Sequence, residues 1–282
     1  MPFDGLRVLS LESRRSAEIE RLIRGQGGIC FVAPSMREIP LEENSAAFDF
    51  AARLFGSGQP GSGQVGGDFD MVVFLTGVGA RLLNQILETR YPPGSLADAL
   101  RKIAVVARGS KPLAVMREWG VPVAVSVPEP NTWREILAAT QGRRERRIAV
   151  QEYGRPTPEL IDGFRRRGAE VTTVPVYQWD LPLDLGPLKE AVRRLIAQEF
   201  DVVLLTTSMQ VPHLLRVASD EGVDAKVRAA LAGAVIASVG PTTSATLREL
   251  GIQTDFEPSH PKMGFLVNET AARARQILQS KR

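Results

Sequence analysis

Hydroxyls, glycines and cations recur in this sequence at one kind of place, immediately after short β-branched apolar runs. Ser13-Arg14-Arg15 follows Arg7–Leu11, Thr76-Gly77-Val78-Gly79 follows Met71–Leu75, and Gly109-Ser110-Lys111 follows Ile103–Ala107. Asn131-Thr132 comes after Val121–Ser126. A second series repeats the plan, with Tyr153-Gly154-Arg155, Thr207-Ser208, Gly240-Pro241-Thr242-Thr243 and Lys262-Met263-Gly264. Each turn opens a helix, so free backbone N–H groups and the positive end of a helix dipole point the same way. Taken singly, each Ser or Thr is an ordinary helix cap and each Gly a tight turn. As a set they converge on the crevice at the carboxyl ends of parallel strands, and suit a ligand carrying several carboxylates.

Other chemistries find little support. The two histidines, His213 and His260, are remote in sequence from the single cysteine, Cys30, so a zinc site is not expected. No GxGxxG follows a strand and no GxxxxGK[ST] occurs; Gly77-Val78-Gly79 lacks the acidic partner of a dinucleotide site. A nucleotide cofactor is therefore not expected, nor is any other cofactor or metal. There is no GxSxG elbow and no Asp/Glu pair that stands out as an acid/base couple, so an enzyme built this way acts on a substrate that is already reactive.

The elements that hold these turns follow from the apolar pattern. The 282 residues are 44% hydrophobic and 24% charged, enough for one large or two medium domains. The net charge of +3 and isoelectric point near 9.2 favour acidic ligands, but the basic stretches Arg143–Arg147 and Arg165–Arg167 lack interleaved aromatics, so nucleic acid is not an expected partner. No apolar run approaches the roughly 18 residues that span a bilayer, and Met1–Leu6 does not read as a signal peptide. Cys30 lies in an apolar run and reads as a buried structural thiol. The expectation is a cytoplasmic monomer without membrane contact.

An internal repeat organises the chain. Phe69–Pro130 aligns with Phe200–Pro261 without a gap, and Arg7–Pro34 with Arg147–Pro175 with one gap. Each copy alternates strands and helices. The runs named above and Ile29–Ala33 are the strands of the first copy; Arg147–Gln151, Val171–Pro175, Val202–Thr206, Val235–Val239 and Thr254–Glu257 are those of the second. Near-continuous apolar strands predict parallel sheets covered on both faces. Helices are predicted at Ser16–Gly25 and Pro158–Arg167. Pro34–Pro40 and Pro175–Pro182 are bounded by prolines and read as stiff crossings that fall inside a repeat rather than between repeats, although the sequence alone also allows simple tandem domains split near Gly142. Gly56–Gly67 reads as a flexible surface loop.

The segment Ala237–Leu247, ASVGPTTSATL, with Leu250-Gly251, then Val176-Tyr177-Gln178, then Thr207-Ser208 after Val202–Leu205, resembles the uroporphyrinogen-III synthase family over nearly the whole chain. The resemblance implies an α/β fold of two doubly wound parallel-sheet, flavodoxin- or Rossmann-like domains, internally duplicated and joined by two extended linkers. Domain one would be residues 1–34 plus 181–282, domain two 41–175, with linkers 35–40 and 176–180 and the active site in the cleft between the domains. The implied reaction is cyclisation of hydroxymethylbilane, a linear tetrapyrrole with eight carboxylates, with inversion of ring D and loss of water, in haem biosynthesis and without a cofactor. The ring A hydroxyl leaves, and ring D closes through a spiro intermediate. By the same resemblance Tyr177 helps the hydroxyl leave and Thr242 stands at the cleft as a second catalytic residue. Substrate carboxylates would be met by Arg14, Arg15, Thr76, Gly77, Gly109, Ser110, Lys111, Tyr153, Arg155, Thr207, Ser208, Gly240, Pro241 and Thr243. Lys111, the repeat-mate of Thr242, supplies a cation there, and Gly77 a backbone N–H. The alternative reading is a non-catalytic ligand sensor or regulatory module on the same scaffold.

Overall fold

A computed structural model describes residues 2–41, 43–56, 67–152, 154 and 156–281. Tyr153, Arg155 and nearly all of the Gly56–Gly67 stretch lie outside the described residues. In chain order, β1 (Arg7–Ser10), α1 (Ser16–Gly25) and β2 (Ile29–Val32) come first. β3 (Arg37–Pro40) leads into α2 (Ser45–Phe55), β4 (Met71–Phe74), α3 (Gly77–Glu88), α4 (Ser95–Leu100), β5 (Ala104–Ala107) and α5 (Ser110–Glu118). β6 (Val125–Ser126), α6 (Trp133–Ala139), β7 (Arg147–Gln151), α7 (Pro158–Arg166) and β8 (Glu170–Val174) follow. β9 (Tyr177–Asp180) precedes α8 (Gly186–Ile196), β10 (Val202–Leu205), α9 (Gln210–Asp220), α10 (Asp224–Gly233), β11 (Val235–Ser238), α11 (Pro241–Glu249) and α12 (Met263–Lys281).

The chain divides into two compact units, one of Met1–Arg37 with Asp180–Arg282 and one of Glu38–Trp179. The sheet of the first runs β11-β10-β1-β2 and that of the second β6-β5-β4-β7-β8, with every adjacent pair parallel. Each sheet therefore combines strands one and two of one repeat copy (β1 and β2, or β7 and β8) with later strands of the opposite copy (β10 and β11, or β4, β5 and β6). β1 lies beside β10 in one as β7 lies beside β4 in the other.

Both faces of the first sheet are covered. Val8, Val202, Leu204 and Val235 pack with Ile19, Ile23 and the α12 residues Val267, Ala271, Ala274 and Leu278. Their neighbours Leu9, Val203, Leu205 and Ile236 point the other way, onto Leu188, Val192, Leu214 and Leu231. Successive side chains of a strand alternate faces, so a run such as Val202–Leu205 must be apolar throughout when helices lie on both sides. The second unit builds one continuous core, with Val72, Val73, Phe74, Val105, Val106 and Val150 fully or almost fully buried.

An arginine–aspartate pair closes the amino-terminal edge of each sheet. Arg7 reaches both carboxylate oxygens of Asp201 at 3.0 Å, and its backbone N–H donates to the same group at 2.8 Å. In the second unit Arg147 Nη2 donates to Asp70 at 2.7 Å and Arg147 N at 3.0 Å. These contacts hold the Asp70 carboxyl down at about 2, the Arg147 guanidinium foremost among the causes.

Two predicted strands shrink. Of Val121–Ser126 only Val125–Ser126 pairs, because Val121 N–H is taken by Met116 O at the end of α5 and Pro122 has no N–H to offer. Thr254–Glu257 contributes a single bridge, Ala237 to Phe256, since the Asp255 carboxylate accepts from Ile236 N at 2.7 Å. The two proline-bounded stretches contain β3 and β9, which pair with each other in a separate two-stranded sheet. Cys30 is half-buried, and desolvation pushes its thiol up to about 12, which keeps it inert.

Candidate active site

In the second unit the carboxyl ends of β4, β5 and β7 lead into Thr76 and Gly77, into Gly109, Ser110 and Lys111, and into Gln151, and Tyr177 of β9 meets Thr76. Thr76 caps α3, its Oγ1 accepting from Gly79 N at 3.0 Å. The Tyr177 hydroxyl lies 3.3 Å from the same oxygen. The Tyr177 ring is buried within the core of its own unit, 6.4 Å from the Trp179 ring between centroids. A Cβ at Gly154 would stand 3.0 Å from both rings, and that residue has φ of +76°, so glycine is required there twice over.

Gly77 brings the first turn of α3 against the first turn of α5: a Cβ at Gly77 would lie 2.9 Å from the Lys111 carbonyl oxygen. The N-termini of two helices therefore adjoin, and Ser110 and Lys111 are exposed at the start of the second. Gly109 has φ of +79° and adjoins the Asn131 side chain. Thr132, by contrast, is spent as a cap on α6 in a capping box with Glu135.

In the first unit the corresponding strand ends hold Arg14, Arg15, Thr207, Ser208, Gly240, Pro241, Thr242 and Thr243. Arg14 and Arg15 are exposed, and Arg15 pairs with Glu18 one turn on. Ser208 is buried. Pro241 is exposed in the first turn of α11, where its missing N–H costs nothing. Thr242 is half-buried and is not a side-chain cap; Thr243 is buried, its N–H donating to Gly240 O at 3.0 Å.

Several polar residues at these strand ends escaped the sequence reading. Glu12 is buried and its carboxylate accepts from Arg14 N at 3.0 Å, Arg15 N at 3.1 Å and the Thr206 hydroxyl. Glu152 matches it in the repeat and is equally buried, but burial raises its carboxyl above the ordinary glutamate value against one stabilising contact, the Thr157 backbone N–H. His213 faces Ser35 O through Nδ1 at 2.8 Å, and burial lowers its pKa. Gln210 Oε1 accepts from Thr206 N at 2.8 Å and Thr207 N at 3.3 Å. The shared Glu at the end of strand one in both copies was the available signal. The two glutamines carry none, because they occupy non-matching positions.

The model of the family described as Uroporphyrinogen-III synthase HemD matches residues 17–268. The chain belongs to this uroporphyrinogen-III synthase family. It is 28% identical over 270 residues to Uncharacterized protein YjjA of Bacillus subtilis, with 95% of each chain covered. It is 27% identical to a Methanothermobacter thermautotrophicus protein named Putative uroporphyrinogen-III synthase, covering 84% of this chain and 87% of that one. Among solved structures, a mutant uroporphyrinogen III synthase of Thermus thermophilus superposes with a TM-score of 0.70 at 23% identity, over 98% of this chain and 100% of the other. That likeness shows the α/β fold with its parallel sheets. Among the described residues no helix is long and apolar enough to cross a membrane, and no three His, Cys, Asp or Glu side chains gather as metal ligands.

Proposed function

We propose that the protein cyclises hydroxymethylbilane to uroporphyrinogen III, breaking the carbon–oxygen bond of the ring A hydroxymethyl group, inverting ring D and releasing water. Family membership supports the reaction class. The observation that carries the site assignment is the Tyr177 hydroxyl held 3.3 Å from Thr76 Oγ1 at the start of α3. The Thr76 oxygen already accepts the Gly79 N–H, so its own proton is available to the phenol oxygen. In this reading the Tyr177 phenol is the group that hydrogen-bonds the departing hydroxyl.

Helix N-termini supply the remaining work. The adjoining starts of α3 and α5, with Lys111 beside them, favour carboxylates of the substrate, and α11 with Thr242 offers a comparable start in the other unit. Binding an already reactive chain in one conformation is catalysis by positioning and by preorganised dipoles.

The test is isomer analysis. Purified protein incubated with hydroxymethylbilane should yield mainly the type III macrocycle after oxidation to porphyrins and chromatographic separation. Recovery of type I alone, the product of spontaneous closure, would overturn the proposal.

A further inference from the structure

His260 is unused by the proposed chemistry, yet it lies at the same end of the first sheet as Gly240 and Thr242. The Thr254–Glu257 stretch meets β11 in a parallel bridge, Phe256 with Ala237, and the Phe256 carbonyl accepts from Ser238 N at 3.0 Å. The chain therefore leaves this edge at the carboxyl ends of the strands, in the turn Pro258-Ser259-His260-Pro261. That turn adjoins the start of α11: a Cβ on Gly240 would stand 3.2 Å from Pro261 Cβ.

A relay fixes the imidazole from one side. Glu269 of α12 accepts from Ser259 N at 2.9 Å and from Ser259 Oγ at 2.5 Å. These contacts, the hydroxyl foremost, hold the Glu269 carboxyl below the ordinary glutamate value, so it is ionised and only accepts. Ser259 has a single hydroxyl proton, and it goes to Glu269. His260 Nδ1, 3.1 Å from Ser259 Oγ, must then be the donor in that contact. The neutral ring is thereby set in one tautomer, with the lone pair on Nε2. Nε2 has no hydrogen-bond partner among the described residues, and the side chain is exposed. Phe265, itself 40% exposed, packs against the ring with centroids 4.6 Å apart. The second repeat copy has Pro128, Glu129 and Ala138 in place of Ser259, His260 and Glu269, so the shared fold does not require this arrangement.

We infer that His260 contacts the substrate, its Nε2 accepting a pyrrole N–H of the linear tetrapyrrole beside the apolar surface of Phe265. The inference rests on the cyclisation proposed above. A lone pair has nothing to give a carboxylate, the substrate's other polar group, so the carboxylates are left to the helix N-termini.

Steady-state kinetics with hydroxymethylbilane at about pH 8.5, where a free imidazole is neutral, test the contact. His260→Ala should raise KM about fivefold, the worth of one hydrogen bond, with kcat within about twofold of the parent. His260→Gln still offers a carbonyl oxygen and should recover most of that loss, whereas His260→Lys, a cation with no lone pair, should recover none. Long-range proton–nitrogen NMR spectra read the tautomer without reference to activity; the chain has two histidines, and His260→Ala identifies the signals of this one. A proton on Nδ1 of the neutral ring is expected, and a proton on Nε2 instead would overturn the inference. An unchanged KM in His260→Ala would do the same. So would a KM that His260→Lys restores, because that result assigns the ring to a carboxylate. The parent's product is measured in the same series: with type III formed, these outcomes bear on His260 alone, whereas type I alone overturns the cyclisation and this contact with it.

Discussion

The side-chain amide of Gln151 occupies the space that any side chain at residue 79 would need: a Cβ on Gly79 would stand 2.0 Å from Gln151 Nε2. Gln151 Oε1 accepts from Thr76 N at 3.4 Å, where β4 ends. The first unit does the same job with Gln210, which sits at the repeat position of Gly79 and accepts from Thr206 and Thr207, while the mate of Gln151 is Leu11, fully buried. Both glutamines are fully buried. One amide per unit satisfies the strand-end N–H groups, but it comes from the helix in one unit and from the neighbouring strand in the other.

This exchange predicts strong coupling. Gly79→Gln alone should destabilise by about 1–3 kcal/mol through overpacking. Gln151→Leu alone should cost about 1–3 kcal/mol by removing a buried acceptor. The double variant recreates the Leu11–Gln210 arrangement and should cost clearly less than the sum, as measured by urea unfolding in a double-mutant cycle. Additive losses would refute the exchange.

Tyr177→Phe removes the hydroxyl that meets Thr76 while leaving the ring packed. Stability should fall by about 0.5–1.5 kcal/mol. Turnover of hydroxymethylbilane should fall by a much larger factor than that change in stability would suggest. Thr76→Val should lose both the cap and the phenol contact, at a cost of about 1 kcal/mol in stability. Steady-state rates compared with melting temperatures separate the two effects, and an unchanged rate in Tyr177→Phe would remove the phenol from the mechanism.

Glu152 should set one side of the pH dependence. Its folded pKa is raised by burial, so the folded state holds the proton more tightly than the unfolded chain does. Its contribution is complete below the ordinary glutamate value of 4.5 and is lost as pH rises through the raised value. Glu152→Gln should therefore stabilise the protein at pH 8 relative to the parent, with the difference shrinking by pH 4. Denaturation midpoints at the two pH values check this.

Asp70 acts with the opposite sign. Its pKa is lowered from 3.8 to about 2, so its contribution is present above 3.8 and is lost as pH falls toward 2. Because the pair with Arg147 reaches solvent, the loss should not exceed about 1 kcal/mol. Asp70→Asn should flatten the acid limb of the stability profile between pH 4 and 2, and an unaltered limb would assign that limb to other carboxylates.

The sequence by itself determined the repeat and most of the elements, but not the short pairings at Val121–Ser126, Thr254–Glu257 and the proline-bounded stretches. Runs such as Val202–Leu205, apolar at every position, can only be strands covered on both faces, and α1 is found at Ser16–Gly25 as its periodicity requires. The turns rich in Ser, Thr and Gly were legible because capping and tight turning are local properties of a few residues. Which partner each buried polar group meets was decided only by the tertiary structure. Arg7 and Asp201 are 194 residues apart, so their contact exists only once β1 and β10, strands of opposite repeat copies, lie side by side, and Thr76 and Tyr177, 101 apart, meet only in the folded second unit. The exchange of Gln151 for Gln210 was hidden for the same reason: a strand side chain and a helix side chain can fill one point in space from positions that no sequence alignment equates.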